Sequence, residues 1–139
     1  MSRTIHVLLL ALACLPVQAT EPLLKTSTSW DGGELAYPEG QAEITAIKLI
    51  AKDGQWAPFH CHPMPTLGYV LSGTVKVQLM NGQEATFKQG ESVVEVMRTL
   101  HRGQGVSGDA ELVVFYAGAE GLPTTFAHGA AGAETHCAE

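Results

Sequence analysis

From Thr74 to Met80 the chain alternates, with Val75, Val77 and Leu79 on one face and Lys76 and Gln78 on the other. A period of two marks a strand with one side buried. Asn81-Gly82 follows at once, and both residues tolerate positive φ, so a tight hairpin turn is predicted there. Glu84–Phe87 is the return strand, and Lys88-Gln89-Gly90 is the next turn. Four more stretches carry strand character. They are Ile44–Ile50, which closes at Lys52-Asp53-Gly54; Leu67–Leu71, which closes at Ser72-Gly73; Ser92–Met97; and Glu111–Ala117. Beyond the N-terminal apolar run no segment keeps a helical period. Strands and turns at this spacing predict an all-β sandwich or barrel over residues 44–117. Residues 20–43 form an N-terminal arm. Gly118–Glu139 is rich in Ala and Gly and lacks alternation, so it reads as an arm or a disordered tail.

The N-terminus has a different character. Arg3 supplies a positive charge, Val7–Leu15 is an apolar run too short to span a bilayer, and Pro16 breaks it. Val17-Gln18-Ala19 then offers the small residues that a signal peptidase inspects. The order predicts a signal peptide over residues 1–19, export to the periplasm or beyond, and no membrane span after cleavage. A lipoprotein anchored at Cys14 is the second reading, with Leu12-Ala13-Cys14 as its site and Ala11 departing from the usual larger aliphatic residue.

Composition narrows the function. A chain of 139 residues makes one domain. Its 14 acidic residues against 8 basic ones give a net charge of −6, with no basic cluster, which excludes a duplex-binding face. The glycines and prolines are scattered, which excludes a collagen-like chain. Of the cysteines left after cleavage, Cys61 and Cys137, an oxidising compartment permits a bridge; two unpaired thiols are equally open. No Gly-rich phosphate loop is present, so neither a flavin nor a nicotinamide cofactor is expected.

The chemistry gathers on histidines. His60 and His62 stand between Pro58 and Pro63, which disfavour helix, and residues two apart on an extended chain share a face. Cys61 then points the other way. His101 follows the Ser92–Met97 strand, in what reads as a short loop. A same-face pair and a third imidazole suit a metal. By spacing alone, metal binding and a chance pair stand level.

These residues resemble a known family. Gly54, His60, His62 and Gly73 fall in register with the first cupin motif, G-x5-H-x-H-x(3–4)-E-x6-G. Gly90 and His101 match the second, G-x5-P-x-G-x2-H-x3-N, although Val96, Arg98 and Gly105 stand where Pro, Gly and Asn are usual. The resemblance implies a double-stranded β-helix, or jelly-roll, barrel with a divalent metal held by His60, His62 and His101. It also implies a small-molecule ligand and a homodimer. One departure matters: Thr66 and Leu67 occupy the positions of the usual carboxylate ligand, and no Asp or Glu lies between His62 and Gly73. The expected ligand set is three neutral imidazoles, which favours an anionic ligand. Such a set does not choose among iron, zinc, copper, nickel and manganese. It is similar to that of the iron thiol dioxygenases. Three roles stand side by side: a metal-dependent oxygenase acting on a small organic molecule, a metal and ligand binding module without turnover, and a structural dimeric barrel without metal.

Other residues carry two readings each. Met64 shares parity with His60 and His62, which suits a thioether ligand for copper, but rim packing is preferred. Glu95 alternates with Val94 and Val96, so a solvated position is preferred over an acid beside the site. Tyr69 either offers its hydroxyl to the cavity or is a half-buried strand aromatic. Arg98 either holds an anionic ligand or belongs to a surface loop. His128, His136 and Cys137 lie in the tail, as metal scavengers or in unstructured chain.

Overall fold

A computed structural model describes residues 20–138, so the signal peptide and the Cys14 alternative lie outside the described residues. The chain forms β1 (Ala42–Ala51), β2 (His60–Cys61), β3 (Thr66–Ser72), β4 (Thr74–Leu79) and β5 (Glu84–Lys88). There follow β6 (Ser92–Val94), β7 (His101–Gly105), β8 (Ala110–Ala119), β9 (Phe126–Ala127) and the short helix α1 (Ala133–His136). Two sheets result, ordered β1-β8-β3-β6 and β5-β4-β7-β2-β9, with every strand pair antiparallel. No helix among the described residues is long and apolar enough to cross a membrane.

Alternation decides which side chains enter the core. Val75, Val77 and Leu79 of β4 are each 4% exposed, while Lys76 and Gln78 point outward. In β8, Leu112, Val114 and Tyr116 turn inward and join Met64, Val70, Val75 and Ala110 in one buried cluster. Each such valine or leucine contributes about 1.5–3 kcal/mol on burial. Outward-facing Phe115 of β8 lies between Ala46 of β1 and Leu67 of β3 in the register.

Three local features differ from the sequence expectation. The hairpin after β4 uses the three residues Met80, Asn81 and Gly82, and only Gly82 takes positive φ (89°). Asn81 instead accepts a hydrogen bond from the Gln83 N–H at its Oδ1, 2.9 Å away. His101 opens strand β7 rather than lying in a loop. Its sequence, His-Arg-Gly-Gln-Gly, has no apolar alternation, and at Gly105 the neighbouring backbone comes too close for any side chain. A Cβ on Gly105 would sit 2.5 Å from the Gly108 carbonyl oxygen and 2.7 Å from that of Ala51. Glycine is required at that point.

The third difference concerns the tail, read as an arm or a disordered tail: of the two, the ordered arm is what the structure describes. Strand β9 pairs with β2, setting Ala127 opposite His60 and Phe126 opposite Cys61. Beyond it a Cys61–Cys137 disulfide fastens the end of the chain to the back of β2. His136 stacks on Phe126 with ring centroids 4.5 Å apart. The segment needs no alternation of its own, because a two-residue ladder and a cross-link hold it. Closing a loop over a sequence separation of 76 removes about 4.5 kcal/mol of chain entropy from the unfolded state. The N-terminal arm is tied down as well, through a hydrogen bond from the Trp30 N–H to the Val94 carbonyl.

Candidate metal centre

The site begins where the two prolines keep the chain extended. His60 lies on β2 directly opposite His101 of β7. One residue past β2, His62 makes an isolated parallel bridge to Met97. The alternation turns Cys61 to the other side, fully buried, where it meets Cys137. The ligating nitrogens of His60, His62 and His101 all lie within 4.8 Å of one another. The sequence singled out these three residues, and the fold brings them together.

The hydrogen bonds fix how the rings present themselves. The Nδ1 of His60 faces the Pro58 carbonyl oxygen, that of His62 the Thr124 carbonyl and that of His101 the Thr99 carbonyl, each at 2.8 Å. A carbonyl only accepts, so each Nδ1 carries the proton and donates it. The lone pair of each neutral ring is therefore on Nε2, as in metal-ligating histidines. Carboxylate Oε2 of Glu95 lies 3.0 Å from Nε2 of His62 and 3.2 Å from Nε2 of His101. Lone pairs facing a carboxylate repel unless a proton or a cation stands between them. This donor set fits a divalent metal.

Without a metal, protons take its part. Burial would lower the His101 pKa, but the hydrogen bond and charge of Glu95 outweigh it and the pKa is raised. Burial would likewise raise the Glu95 pKa, yet hydrogen bonds from His101 and His62 hold it well below the usual carboxylate range. His60 is pushed down to about 4, by burial first and then by repulsion from His101.

Several candidates take unexpected places. Glu95 is not solvated: its side chain is 13% exposed and sits against two of the three rings. Strand β6 ends at Val94, and Glu95 shares its inward parity with buried Val93; that valine was the signal in the sequence. Tyr69 shares the outward parity of Leu67 and does not line the cavity. The tyrosine at the site is Tyr116, its ring 5.2 Å from that of His62. Burial and then the Glu95 charge raise the Tyr116 pKa, so its hydroxyl stays protonated. Arg98 points away from the cavity and donates to the Thr135 carbonyl, bracing the tail. Met64 is neither ligand nor rim; it is fully buried in the core. Thr124 and Thr125, from the segment read as an arm or a disordered tail, both reach His62.

The histidines open into a cavity of about 540 Å³. Leu49, Trp56, Val75, Leu112, Val114 and Tyr116 give it mostly apolar walls, with the three histidines and Glu95 as its polar end. Trp56 is held from outside the barrel. The Arg102 guanidinium stacks 4.6 Å from the Trp56 ring centroid and 4.5 Å from that of Phe59, and it donates twice to Oε1 of Gln78.

Comparison with known proteins agrees with this architecture. The Cupin domain profile matches residues 48–117. Among solved structures, a cupin-like protein from Thermotoga maritima is 14% identical with a TM-score of 0.52, over 60% of this chain and 63% of that one. A conserved protein with a double-stranded β-helix domain from Klebsiella pneumoniae is 17% identical with a TM-score of 0.52, over 68% and 80%. Oxalate decarboxylase from Lactobacillus farciminis, solved as a formate complex, is 18% identical with a TM-score of 0.52, over 63% and 27%. At these identities the likeness is one of fold. The chain spans less than two thirds of the Thermotoga and Lactobacillus proteins. No curated protein matches the sequence.

The protonation pattern has a consequence for the metal-free protein. Between pH 6.5 and about 4, folded His60 binds fewer protons than the unfolded chain, so stability falls as pH drops through that window. His101 acts in the opposite sense: its contribution is complete below 6.5 and is lost as pH rises through its raised folded value. Protein held in chelator is expected to melt at its highest temperature near pH 6.5. The His60 contribution on the acid side is about 2 kcal/mol once solvent screening at this half-buried ring is allowed for. His60→Gln should flatten the acid limb of the melting curve; an equally steep limb in that variant would contradict the assignment.

Proposed function

Because the chain belongs to the cupin domain family, we propose that it is an exported metal-dependent oxygenase acting on a small organic molecule. The observation that carries this reading is the convergence of three Nε2 lone pairs at the polar end of an apolar cavity. His60, His62 and His101 hold the ion, which supplies a Lewis-acidic and, as iron, redox-active centre. Leu49, Val75, Leu112 and Val114 exclude water and pack on the apolar part of the substrate. Tyr116 offers a protonated hydroxyl beside His62. A divalent ion beside the Glu95 carboxylate leaves one net positive charge, which suits a monoanionic substrate group.

Export is supported by the order of Arg3, the apolar run and Val17-Gln18-Ala19, and by the disulfide, which fits an oxidising compartment. A homodimer is supported by the outer face of the β1-β8-β3-β6 sheet. There Ile44, Ile50, Leu67 and Phe115 are exposed by 66%, 53%, 40% and 42%, a large apolar surface for a free monomer.

N-terminal sequencing of native protein is expected to begin at Thr20; a retained Met1 counts against export, and a lipid-blocked Cys14 selects the anchored form instead. Sedimentation is expected to give a dimer that Phe115→Asp dissociates, and a monomeric wild-type protein rules the dimer out. For activity, iron(II)-loaded protein should consume dioxygen when offered small anionic thiols or phenols, and His62→Ala should not. Native protein that carries zinc and takes up no dioxygen across such a panel sinks the oxygenase reading. A ligand-induced rise in melting temperature without uptake would then identify a binding module.

A further inference from the structure

We propose that Glu95 is the anionic ligand of the metal centre, supplied from the segment after β6 in place of the carboxylate that the family pattern sets at the position of Thr66. The assignment rests on the metal reading of the three histidines. Thr66 itself is 1% exposed, with its hydroxyl donating to the Met64 carbonyl at 3.2 Å, and Leu67 is 40% exposed on the outer face. Neither brings a charge to the site. The Glu95 N–H donates to the Thr66 carbonyl at 2.9 Å, so the carboxylate enters from the chain lying directly beside the substituted position.

Distances carry the argument further. Ligand atoms about 2.1 Å from one ion lie about 3.0 Å apart at a right angle and about 3.4 Å apart at the tetrahedral angle. Glu95 Oε2 stands 3.0 Å from Nε2 of His62 and 3.2 Å from Nε2 of His101, the separations expected of neighbours in one coordination shell. Among the described residues these two rings are the only charge partners of a carboxylate that is 13% exposed. A buried carboxylate without lysine or arginine calls for another cation, and a metal meets that need. Adding an oxygen anion to three imidazoles moves the preference toward borderline and hard ions such as zinc, iron and manganese, and away from copper(I).

The test follows zinc affinity by calorimetry and the visible bands of the cobalt(II) protein, with thermal melts of each variant as a folding control. Glu95→Gln keeps the shape and removes the charge; it should weaken zinc at least tenfold and change the cobalt bands. Combining it with Thr66→Glu should recover most of that loss by returning a carboxylate to the usual position. In wild-type protein, infrared difference spectra should show a carboxylate stretch that moves when zinc is added. Affinity within twofold of wild type with unaltered cobalt bands for Glu95→Gln overturns the assignment, as does a wild-type carboxylate stretch unmoved by zinc. A swapped protein as weak as the single variant overturns the exchange with Thr66. His101→Ala separates the two levels of the reading. If it binds zinc as tightly as wild type, the three-histidine centre itself is wrong and the Glu95 assignment falls with it.

Discussion

Each of the three clustered imidazoles gives its Nδ1 proton to a backbone carbonyl, and most of the site's chemistry depends on that arrangement. It sets all three rings in one tautomer, gathers three Nε2 lone pairs within 4.8 Å of one another, and brings those of His62 and His101 against a carboxylate oxygen. Such a cluster is unfavourable in a dry interior unless positive charge enters it. The fold sustains the arrangement because two of the carbonyls, Pro58 and Thr99, lie only two residues from their histidines. The direct pairing of His60 with His101 across β2 and β7 then brings the two local units together.

The strand pattern was legible where one face is buried and the other wet. Val75, Val77 and Leu79 announce β4, and the inward residues of β8 announce a central strand. His60 and His62 were legible for the same reason, since a period of two fixes their common side. Strand β7 was hidden because glycine stands at 103 and 105 and polar residues fill the rest, with close backbone approach requiring the glycine at 105. Glu95 was hidden because buried valines flank it at both parities, Val93 on its own side and Val96 on the other. Val94 closes β6, and beyond it Val96 is buried for reasons of the loop rather than the pleat. Tyr69 and Arg98 have suitable chemistry, but parity and the tail direct them elsewhere.

The segment matched by the family profile and the segment needed for the site are not the same. The match ends at residue 117, whereas the partner of His62 is the Thr124 carbonyl and the anchor of β2 is Cys137. Both lie in the Ala- and Gly-rich stretch, whose composition gives no hint of a structural duty. Contacts that are few, local to one strand and made through the backbone leave almost no trace in residue type. A disulfide and a two-residue ladder are enough to hold them.

That arrangement also imposes an order on maturation. The cluster of His60, His62 and His101 is secured by residues far along the sequence, Thr124 and Cys137. Until the segment carrying Thr124 docks, His62 lacks the carbonyl that orients its ring, and only His60 and His101 have theirs close by in sequence. Oxidation of Cys61 is therefore a step in assembling the histidine cluster as well as in closing the fold, because that cysteine lies between His60 and His62. The geometry of the histidine cluster is thus coupled to the docking of the segment that follows β8.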